Sequence, residues 1–364
     1  MGSRVDGPKL AIVYLPFDVD HAAYLAAASE GIGGPVVGAT TAGAAFTERG
    51  FSTTDPVGAV LSGRGFSYSI SVASDLSRDP ATAVRTAARR LVDAAHRTSA
   101  RSQVLLTLAD GFACDGEVLY GALQQSVPPH WRMLGTNAGG GQHLRQAYVF
   151  AGREILRDAA ILIGLFSDAA PSLVAHHGWR GVDGSAEMTV TEVEGNILRR
   201  LDDRPALEAY RAELIRLGCM RDGDDFMSVT ATHELGMRTM FGDQLKIRAA
   251  MAVGEDGAIK LASAIPVGAK VCIATASADE LIEAARTLSS RALEPFERQA
   301  LHGALVFDCG ARLQRLGARY GEEVTAFSGG RHFPLVGVAG YGEIAKFAGS
   351  IDGFHNATAV MAVW

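Results

Sequence analysis

Residues 335–364, LVGVAGYGEIAKFAGSIDGFHNATAVMAVW, hold the pattern from which the fold and a site can be predicted. An apolar run leads into a turn with glycine on both sides of Tyr341, and a second apolar run ends the stretch. Glycine permits positive φ and close approach of the backbone. Because Glu343, His355 and Asn356 place polar groups beside apolar walls, the stretch favours a small-molecule pocket. A tight turn before a buried last strand is the alternative that the same residues allow.

The order of elements in this stretch recurs along the chain. Three copies each read as strand, helix, strand, a glycine turn and a final apolar strand, with the turns at Gly38–Gly43, Gly135–Gly140 and Gly337–Gly342. A helix between two buried strands favours a right-handed βαβ crossover. The nearly all-apolar run after each turn predicts a strand that is covered on both faces.

Two longer helices extend this repeat. Asp79 and Pro80 supply an N-cap and a first-turn proline for a helix over 81–96. A capping box that begins at Ser277 predicts a second helix over 281–293. Each helix follows an apolar strand, predicted over 68–73 before the first helix and over 270–274 before the second, so residues 66–168 and 268–364 share one order of elements. The sequence therefore predicts an α/β fold of two related layered halves, with mixed β-sheets flanked by helices.

The boundary between two domains is predicted in a polar, glycine-containing segment over 219–225. An amphipathic helix over 205–217 precedes it, and a hairpin with its turn at 255–257 follows it. We expect a first domain over 8–218 and a second, ligand-binding domain over 226–364.

Composition argues against several classes of function. A net charge of −6 and a pI near 5.9 argue against binding to nucleic acid or to an anionic membrane surface. No apolar run reaches the ~18–20 residues of a membrane span, and the first residues lead us to expect no secretory signal. The four cysteines lack zinc-site spacing, which predicts reduced thiols in a cytoplasmic protein.

Catalytic signatures are also missing from the sequence. It contains no P-loop, nucleophile elbow, zinc-protease helix motif or dinucleotide fingerprint. Candidate binding residues nevertheless occur at predicted strand ends, where α/β sheets bind ligands. Arg312 suits a carboxylate clamp, and Cys309 precedes it, although a surface arginine and a packed thiol are the alternatives. Arg248 lies inside an apolar strand, so it must be paired or lie at a pocket edge.

Longer motifs follow one another in a fixed order. The first part of the chain contains VGATTAG (37–43), LLTLADGF (105–112), MLGTNAGG (133–140), VFAGREI (149–155) and HHGWRGV (176–182). The second part contains VTEVEGNILRRLDDRPALEAY (190–210), LKIRAAMAVGEDGAIKLASAIPVGAKV (245–271), LVFDCGARLQRLG (305–317), VGVAGYGEIA (336–345) and FHNATAVM (354–361). In this order the motifs resemble the FIST sensory domains, with the amino- and carboxy-terminal parts together over about residues 9–364.

The resemblance implies a bacterial, cytoplasmic module that senses a small ligand, with an amino acid or a similar metabolite as the expected ligand. Members of the family are fused or adjacent to histidine kinases and other signalling proteins. This chain shows no output domain, so the resemblance implies a separate signalling partner. The residues that match family motifs, and that we predict to bind the ligand, are Arg248, Cys309, Arg312, Tyr341, Gly342, Glu343, His355 and Asn356. The resemblance requires no cofactor, and the sequence does not indicate the oligomeric state.

Three hypotheses follow for these residues. In the first, Arg312 binds an anionic group of the ligand and Glu343 a cationic one, as suits an amino acid. In the second, which rests on nitric-oxide sensors that resemble the family, haem is bound through an axial histidine, with His355, His176 and His177 as candidates. In the third, Cys309 is the nucleophile of an enzyme, with His355 as its base. We favour binding without catalysis.

The glycine turns give two further expectations. Backbone N–H groups exposed in the turns would bind anions. Only the third turn carries an acid, Glu343, and a histidine–asparagine pair downstream, so we expect a binding site in the third copy alone. Gly342→Val is expected to abolish ligand binding before it abolishes folding, because valine resists positive φ.

Overall fold

Three units of one topology form the body of the protein in the computed structural model, which describes residues 7–63, 65–141, 146–239, 244–297 and 300–364. Each unit, called a repeat below, has two parallel strands joined by a helical connection. A hairpin follows, and then a closing strand that pairs antiparallel with the first strand. The predicted α/β class with mixed sheets and an internal repeat is confirmed.

Repeat 1 consists of β1 (Lys9–Leu15), α1 (His21–Ile32), β2 (Val36–Thr40), the hairpin β3 (Ala45–Thr47) and β4 (Gly50–Ser52), and β5 (Val57–Ser62). Repeat 2 begins with an extra strand and helix, β6 (Phe66–Ser74) and α2 (Pro80–Ala95). It continues with β7 (Ser102–Asp110), α3 (Gly116–Ser126), β8 (Arg132–Ala138), the hairpin β9 (Val149–Ala151) and β10 (Glu154–Leu156), and β11 (Ala159–Ser167).

Repeat 3 begins with β12 (Ser172–His176) and is then interrupted by an inserted module over residues 180–275. The module contains β13 (Arg180–Gly181), β14 (Met188–Glu194), β15 (Ile197–Leu201), β16 (Arg204–Pro205), α4 (Ala206–Arg216), α5 (Phe226–Thr230), β17 (His233–Arg238), β18 (Leu245–Arg248), β19 (Ala250–Val253), β20 (Ile259–Leu261) and β21 (Lys270–Thr275). Repeat 3 then continues with α6 (Ala278–Leu293), β22 (Ala304–Cys309), α7 (Gly310–Leu316), α8 (Tyr320–Phe327), β23 (Leu335–Gly340), the hairpin β24 (Glu343–Lys346) and β25 (Gly353–His355), and β26 (Ala359–Val363).

Each hairpin pairs with a strand of another repeat. The strand β3 of repeat 1 pairs with β23, β9 of repeat 2 pairs with β2, and β24 of repeat 3 pairs with β8. The three sheets of the body therefore have the orders β10-β9-β2-β1-β5, β25-β24-β8-β7-β11-β6 and β12-β26-β22-β23-β3-β4. The exchange closes the repeats into a ring around a shared apolar core, which includes Ile12, Leu106 and Phe307.

Three equivalent backbone hydrogen bonds join the repeats at their glycine turns. In each bond, the donor is the N–H of the residue four positions after the first glycine of one turn. The acceptor is the carbonyl of the residue two positions after the first glycine of the turn in another repeat. The bonds run from Ala42 to Ala339 at 2.7 Å, from Tyr341 to Asn137 at 2.8 Å and from Gly139 to Thr40 at 3.1 Å. The expectation that the turns expose their N–H groups to anions is wrong for these three groups, because they bind protein carbonyls.

The long helices begin where the sequence predicts. The Asp79 carboxylate accepts from the Thr82 N–H before α2, and Ser277 and Glu280 form the capping box of α6. Both helices pack over an extra strand at the edge of a sheet. The strand under α6 is β12. The sequence predicts the strand at 270–274 in this place, but that segment lies within β21 of the inserted module. The pattern of elements could not show that a module separates β12 from its helix.

The inserted module is built on one nine-stranded sheet. The strand order is β18-β17-β21-β14-β15-β20-β19. The two edge strands, β18 and β19, are consecutive in the chain, so the sheet curls until its two edges meet. Tyr210 of α4, Ile259 and Ile273 lie in its core. Among the residues that the structure describes, no helix has both the length and the apolar surface needed to cross a membrane.

Gly342 lies where the third turn packs against the last hairpin. Its φ is +101°, and an added Cβ would lie 2.2 Å from the Phe354 ring and 2.8 Å from the His355 carbonyl oxygen. A side chain here therefore clashes with buried structure. This revises the expectation that a substitution at Gly342 would affect binding before folding.

We predict that Gly342→Ala lowers the free energy of unfolding by about 1–3 kcal/mol or more, through overpacking and backbone strain. Urea unfolding measures this change. Gly121→Ala, inside α3 with open space around the added Cβ, is the matched control. It should leave stability unchanged or raise it by up to ~1 kcal/mol, because alanine favours a helix. Equal stability of the two variants would contradict the packing described here.

Candidate functional site

Several of the predicted residues meet where the hairpin of repeat 3 covers repeat 2. Glu343 on β24 lies opposite Thr136 of β8 on one side and opposite His355 of β25 on the other. Asn356 and Thr358 follow in the turn between β25 and β26, and all of these side chains are buried. The structure thus brings Glu343, His355 and Asn356 together, around the end of β22 that carries Cys309.

Glu343 is a buried acid at a position that is apolar in the other repeats. By strand register it corresponds to Val149 in the hairpin of repeat 2 and to Ala45 in that of repeat 1. Its Oε2 accepts from the Thr358 N–H at 3.3 Å, while its Oε1 has no partner among the described residues. Burial, followed by the nearby Asp308 carboxyl, raises the pKa of Glu343 well above its usual value against the hydrogen bonds from Thr358 and Cys309, and so favours the uncharged acid.

Cys309 lies beside this acid. Burial, followed by the nearby Glu343 carboxyl, raises the pKa of the Cys309 thiol well above its usual value. A nucleophilic cysteine needs the opposite shift, because the thiolate is the reactive form. The environment of Cys309 therefore does not support the hypothesis of a cysteine-dependent enzyme.

Arg312 is fully buried at the start of α7, and its donors are used within the protein. The guanidinium pairs with Glu323 of α8, and its Nε lies 3.1 Å from Oδ1 of Asp308. Its terminal nitrogens donate to three backbone carbonyls, those of His177 at 2.6 Å, Ala357 at 3.4 Å and Leu281 at 3.1 Å. The interpretation of Arg312 as a ligand clamp does not match these contacts. Through these contacts Arg312 links α6, α7, α8 and the turn before β26.

Glu323, which pairs with Arg312, has no signal in the sequence that would place it at the site. It lies on a separate helix, and its spacing from Arg312 gives no helical or strand signal. Burial raises the pKa of Glu323 to about 8. Tyr320 of the same helix donates to Oδ2 of Asp308 at 2.9 Å, which completes the network. By register, Asp308 corresponds to Ala109 and Leu15 of the other repeats, so repeat 3 carries the polar substitutions.

Arg248 belongs to a different cluster, at the contact between the inserted module and the body. It is buried on β18, pairs with Glu117 at the start of α3, and donates to the Phe354 carbonyl at 3.4 Å. Lys246 on the same strand lies 2.5 Å from Glu117. These contacts hold the module against β25, immediately before His355. Arg248 therefore supports the site from the side of the module.

The histidines considered for haem are largely engaged in packing. Nδ1 of His177 accepts from the Trp179 N–H at 2.8 Å and its Nε2 donates to the Leu245 carbonyl at 3.0 Å, so both ring nitrogens have partners. His355 is buried, and its Nε2 lies 2.7 Å from the Ile351 carbonyl oxygen. His176 is half-buried and stacks on His177. This arrangement does not fit an axial haem ligand on an open apolar pocket.

Tyr341 forms the outer edge of the site. Its hydroxyl donates to the Gly141 carbonyl at 2.9 Å, and its ring packs edge-on against Phe112 at 5.6 Å. Phe112 is exposed. The side-chain oxygens of Asn356 and Asn137, like Oε1 of Glu343, are buried without a partner in the described part of the chain. Such atoms cost free energy until a ligand or a water satisfies them.

Two surface grooves lie away from this cluster. One, of about 510 Å³, runs between α6 and α8 and is lined by residues such as Arg286, Glu294 and Arg331. The other, of about 210 Å³, lies between α1 and β5. Neither is lined by the residues predicted from the sequence. Within the described ranges, no group of three or more histidine, cysteine, aspartate or glutamate side chains is placed to hold a metal ion.

Comparison with known families gives two matches. A model of the FIST N domain matches residues 9–204, and a model of the FIST C domain matches residues 206–346. No curated protein matches the chain. The second match ends with β24, and the residues beyond it form β25 and β26, which complete repeat 3.

The contacts of Arg312 predict a large loss of stability when it is replaced. Arg312→Met leaves the Asp308 and Glu323 carboxyls buried without their cation, which should lower the free energy of unfolding by about 3–5 kcal/mol. Urea unfolding is the measurement, with Arg286→Met on the exposed face of α6 as the control, expected within about 0.5 kcal/mol of wild type. If Arg312→Met kept full stability and lost only ligand binding, Arg312 would be a clamp after all.

Glu234 on β17 predicts a pH dependence of stability. Burial raises the pKa of Glu234 to about 8. The folded protein therefore holds a proton that the unfolded chain has already released, and stability falls as pH rises from the usual glutamate pKa to about 8. Glu234→Gln removes this contribution, so its advantage over wild type should grow by up to ~1.4 kcal/mol per pH unit across that window. An advantage that stays constant between pH 5 and 8 would contradict the assignment.

Proposed function

The chain belongs to the FIST family, and on that basis we propose that it is a cytoplasmic sensor that binds a small metabolite with an amino group in repeat 3 and signals through a separate protein. FIST domains are small-ligand-binding sensory domains of signal transduction. An amino acid or a related amine is the ligand class that we propose for this member.

The observation that carries the proposal is the acid at position 343. The equivalent positions Val149 and Ala45 show that an apolar residue suits the fold there. A buried carboxyl with an unpartnered oxygen lowers stability relative to such a residue. Natural proteins keep such costly groups at functional sites, and a ligand that binds Glu343 accounts for its presence.

The polar atoms left without partners in the cluster set the chemistry of the ligand. Oε1 of Glu343 and Oδ1 of Asn356 are oxygens, while the donors of Arg312 are already engaged. The site therefore favours a ligand that brings N–H donors. An ammonium group beside Glu343 would favour the ionised carboxyl, so binding should release a proton at neutral pH. The carboxylate of an amino acid would need a donor other than Arg312.

The output is proposed to lie on another protein, such as a histidine kinase. The neutral thiol of Cys309 supports binding without catalysis.

A thermal-shift screen of amino acids, diamines, carboxylic acids and neutral metabolites tests the proposal. An amine should raise the unfolding temperature of wild type. Glu343→Gln keeps the shape and an acceptor for the Thr358 N–H but cannot ionise. It should fold with unchanged or higher stability and bind the amine roughly ten- to a hundredfold more weakly, because a hydrogen bond to a charged group contributes about 1.5–3 kcal/mol.

Glu322→Gln, an exposed change on the neighbouring face of α8, is the matched control and should respond like wild type. Isothermal titration in two buffers of different ionisation enthalpy measures the proton release. The proposal fails if no compound stabilises the protein, or if Glu343→Gln keeps the full response to the amine.

A further inference from the structure

Within the described residues, repeat 1 has no counterpart of the strand and helix that begin the other two repeats. Beyond the closing strand β11 of repeat 2 lies β6, and beyond β26 of repeat 3 lies β12, each pairing antiparallel with the closing strand. The helices α2 and α6 pack over these edges, and α2 also packs against α3. In the described part of the chain, no strand pairs with the outer edge of β5, and no helix takes the equivalent place beside α1.

The burial of the closing strands shows the consequence. Every residue of β11 and β26 is buried, whereas β5 leaves Gly58 and Val60 exposed, with 46% of Val60 accessible. The core between α1 and its sheet is also small. Among the described residues, five are buried in this core, against twenty under α2 and α3 in repeat 2.

The outer face of α1 is apolar although it is exposed. Its sequence, HAAYLAAASEGI, carries one charge, and Tyr24 is 44% accessible beside exposed alanines such as Ala23 and Ala27. A helix that is apolar on all sides is normally covered by other structure. The groove of about 210 Å³ between α1 and β5 is lined by apolar side chains and glycine, namely Val13, Leu15, Tyr24, Leu25, Ala27, Ala28, Pro56, Val57 and Gly58.

Acidic residues predominate around this groove, although Glu30 pairs with Arg153 and Glu48 with Arg49. Residues 10–48 contain four acids, Asp18, Asp20, Glu30 and Glu48, and neither lysine nor arginine. Asp55 precedes β5, which itself carries no charge. The helix that fills the equivalent place in repeat 2, α2, presents Arg85, Arg89 and Arg90 to solvent. An acidic border thus complements a helix of that kind.

We propose that this open edge of repeat 1 docks a strand–helix segment of a partner protein. The strand is uncharged and pairs antiparallel with β5, adding to the sheet through backbone hydrogen bonds. The helix packs its alanine-, valine- and leucine-rich face against α1 and β5, and its arginine or lysine side chains lie along the acidic border. The surface is independent of the ligand site, and it gives a sensory protein a place to contact the protein to which it signals.

A second copy of this chain fills the place less well. Two β5 edges could pair around a twofold axis and form one continuous sheet. However, α1 lies over β1 and β2, and adjacent strands are about 4.8 Å apart. In such a dimer, neither α1 helix would cover the β5 strands, and the space above them would stay open. Filling that space needs a helix connected to the added strand.

A peptide of residues 66–96 of this chain is a direct probe, because it carries β6 and α2, the segment that fills the equivalent place in repeat 2. Fluorescence anisotropy of the labelled peptide should show saturable binding to the full-length protein, and the binding should weaken as salt rises. The double change Tyr24→Glu and Val60→Lys should weaken binding about tenfold or more. Val267→Lys, at an exposed position of the inserted module, is the matched control and should bind like wild type.

The changed positions are exposed, so all variants should keep the wild-type unfolding midpoint, which urea unfolding checks. A scrambled peptide should not bind. Three results would overturn the proposal: no saturable binding, equal binding by the double variant, or light scattering that shows a dimer which the double variant abolishes. The last result would make a second copy the occupant of this surface.

Discussion

Three backbone hydrogen bonds at the glycine turns hold the three repeats together, and they require the strand ends to approach without side chains between them. An added Cβ at Gly139 would lie 2.5 Å from Cα of Ala42, and one at Gly340 would lie 1.9 Å from Oγ1 of Thr136. Neither Gly139 nor Gly340 can therefore carry a side chain unless neighbouring atoms of another repeat move. The exchanged hairpins start from these turns, so the pairing of every sheet in the body depends on the same approach.

A body with three similar repeats makes deviations from the pattern visible. Most equivalent positions near the ring are small or apolar, whereas repeat 3 has Asp308 in place of Ala109 and Leu15, and Glu343 in place of Val149 and Ala45. Asp308 has a cation beside it, since its Oδ1 lies 3.1 Å from Nε of Arg312, and its Oδ2 accepts from the Tyr320 hydroxyl. Among the described residues, Oε1 of Glu343 has neither a paired cation nor a hydrogen-bond donor. This difference separates a polar group that supports the fold from one that is free to bind a ligand.

Local features of the fold could be predicted from the sequence, since caps, glycine turns and apolar runs act over a few residues. The start of α2 at Pro80 and the juxtaposition of Glu343 with His355 both follow from such signals. Such signals did not predict the exchange of hairpins, the place of the inserted module or the pairing of Arg312 with Glu323. These depend on contacts between segments far apart in the chain, which no periodicity encodes. The same limit explains why Arg312 resembles a ligand clamp in the sequence.

We propose that Glu343 is an uncharged acid in the free protein and becomes the partner of a ligand. Infrared difference spectroscopy of wild type against Glu343→Gln tests this most directly, because a protonated carboxyl has a C=O stretching band that a carboxylate lacks. The account predicts this band at neutral pH in the free protein and its loss when the stabilising amine is added. Absence of the band in the free protein, or its persistence at saturating amine, would contradict the account.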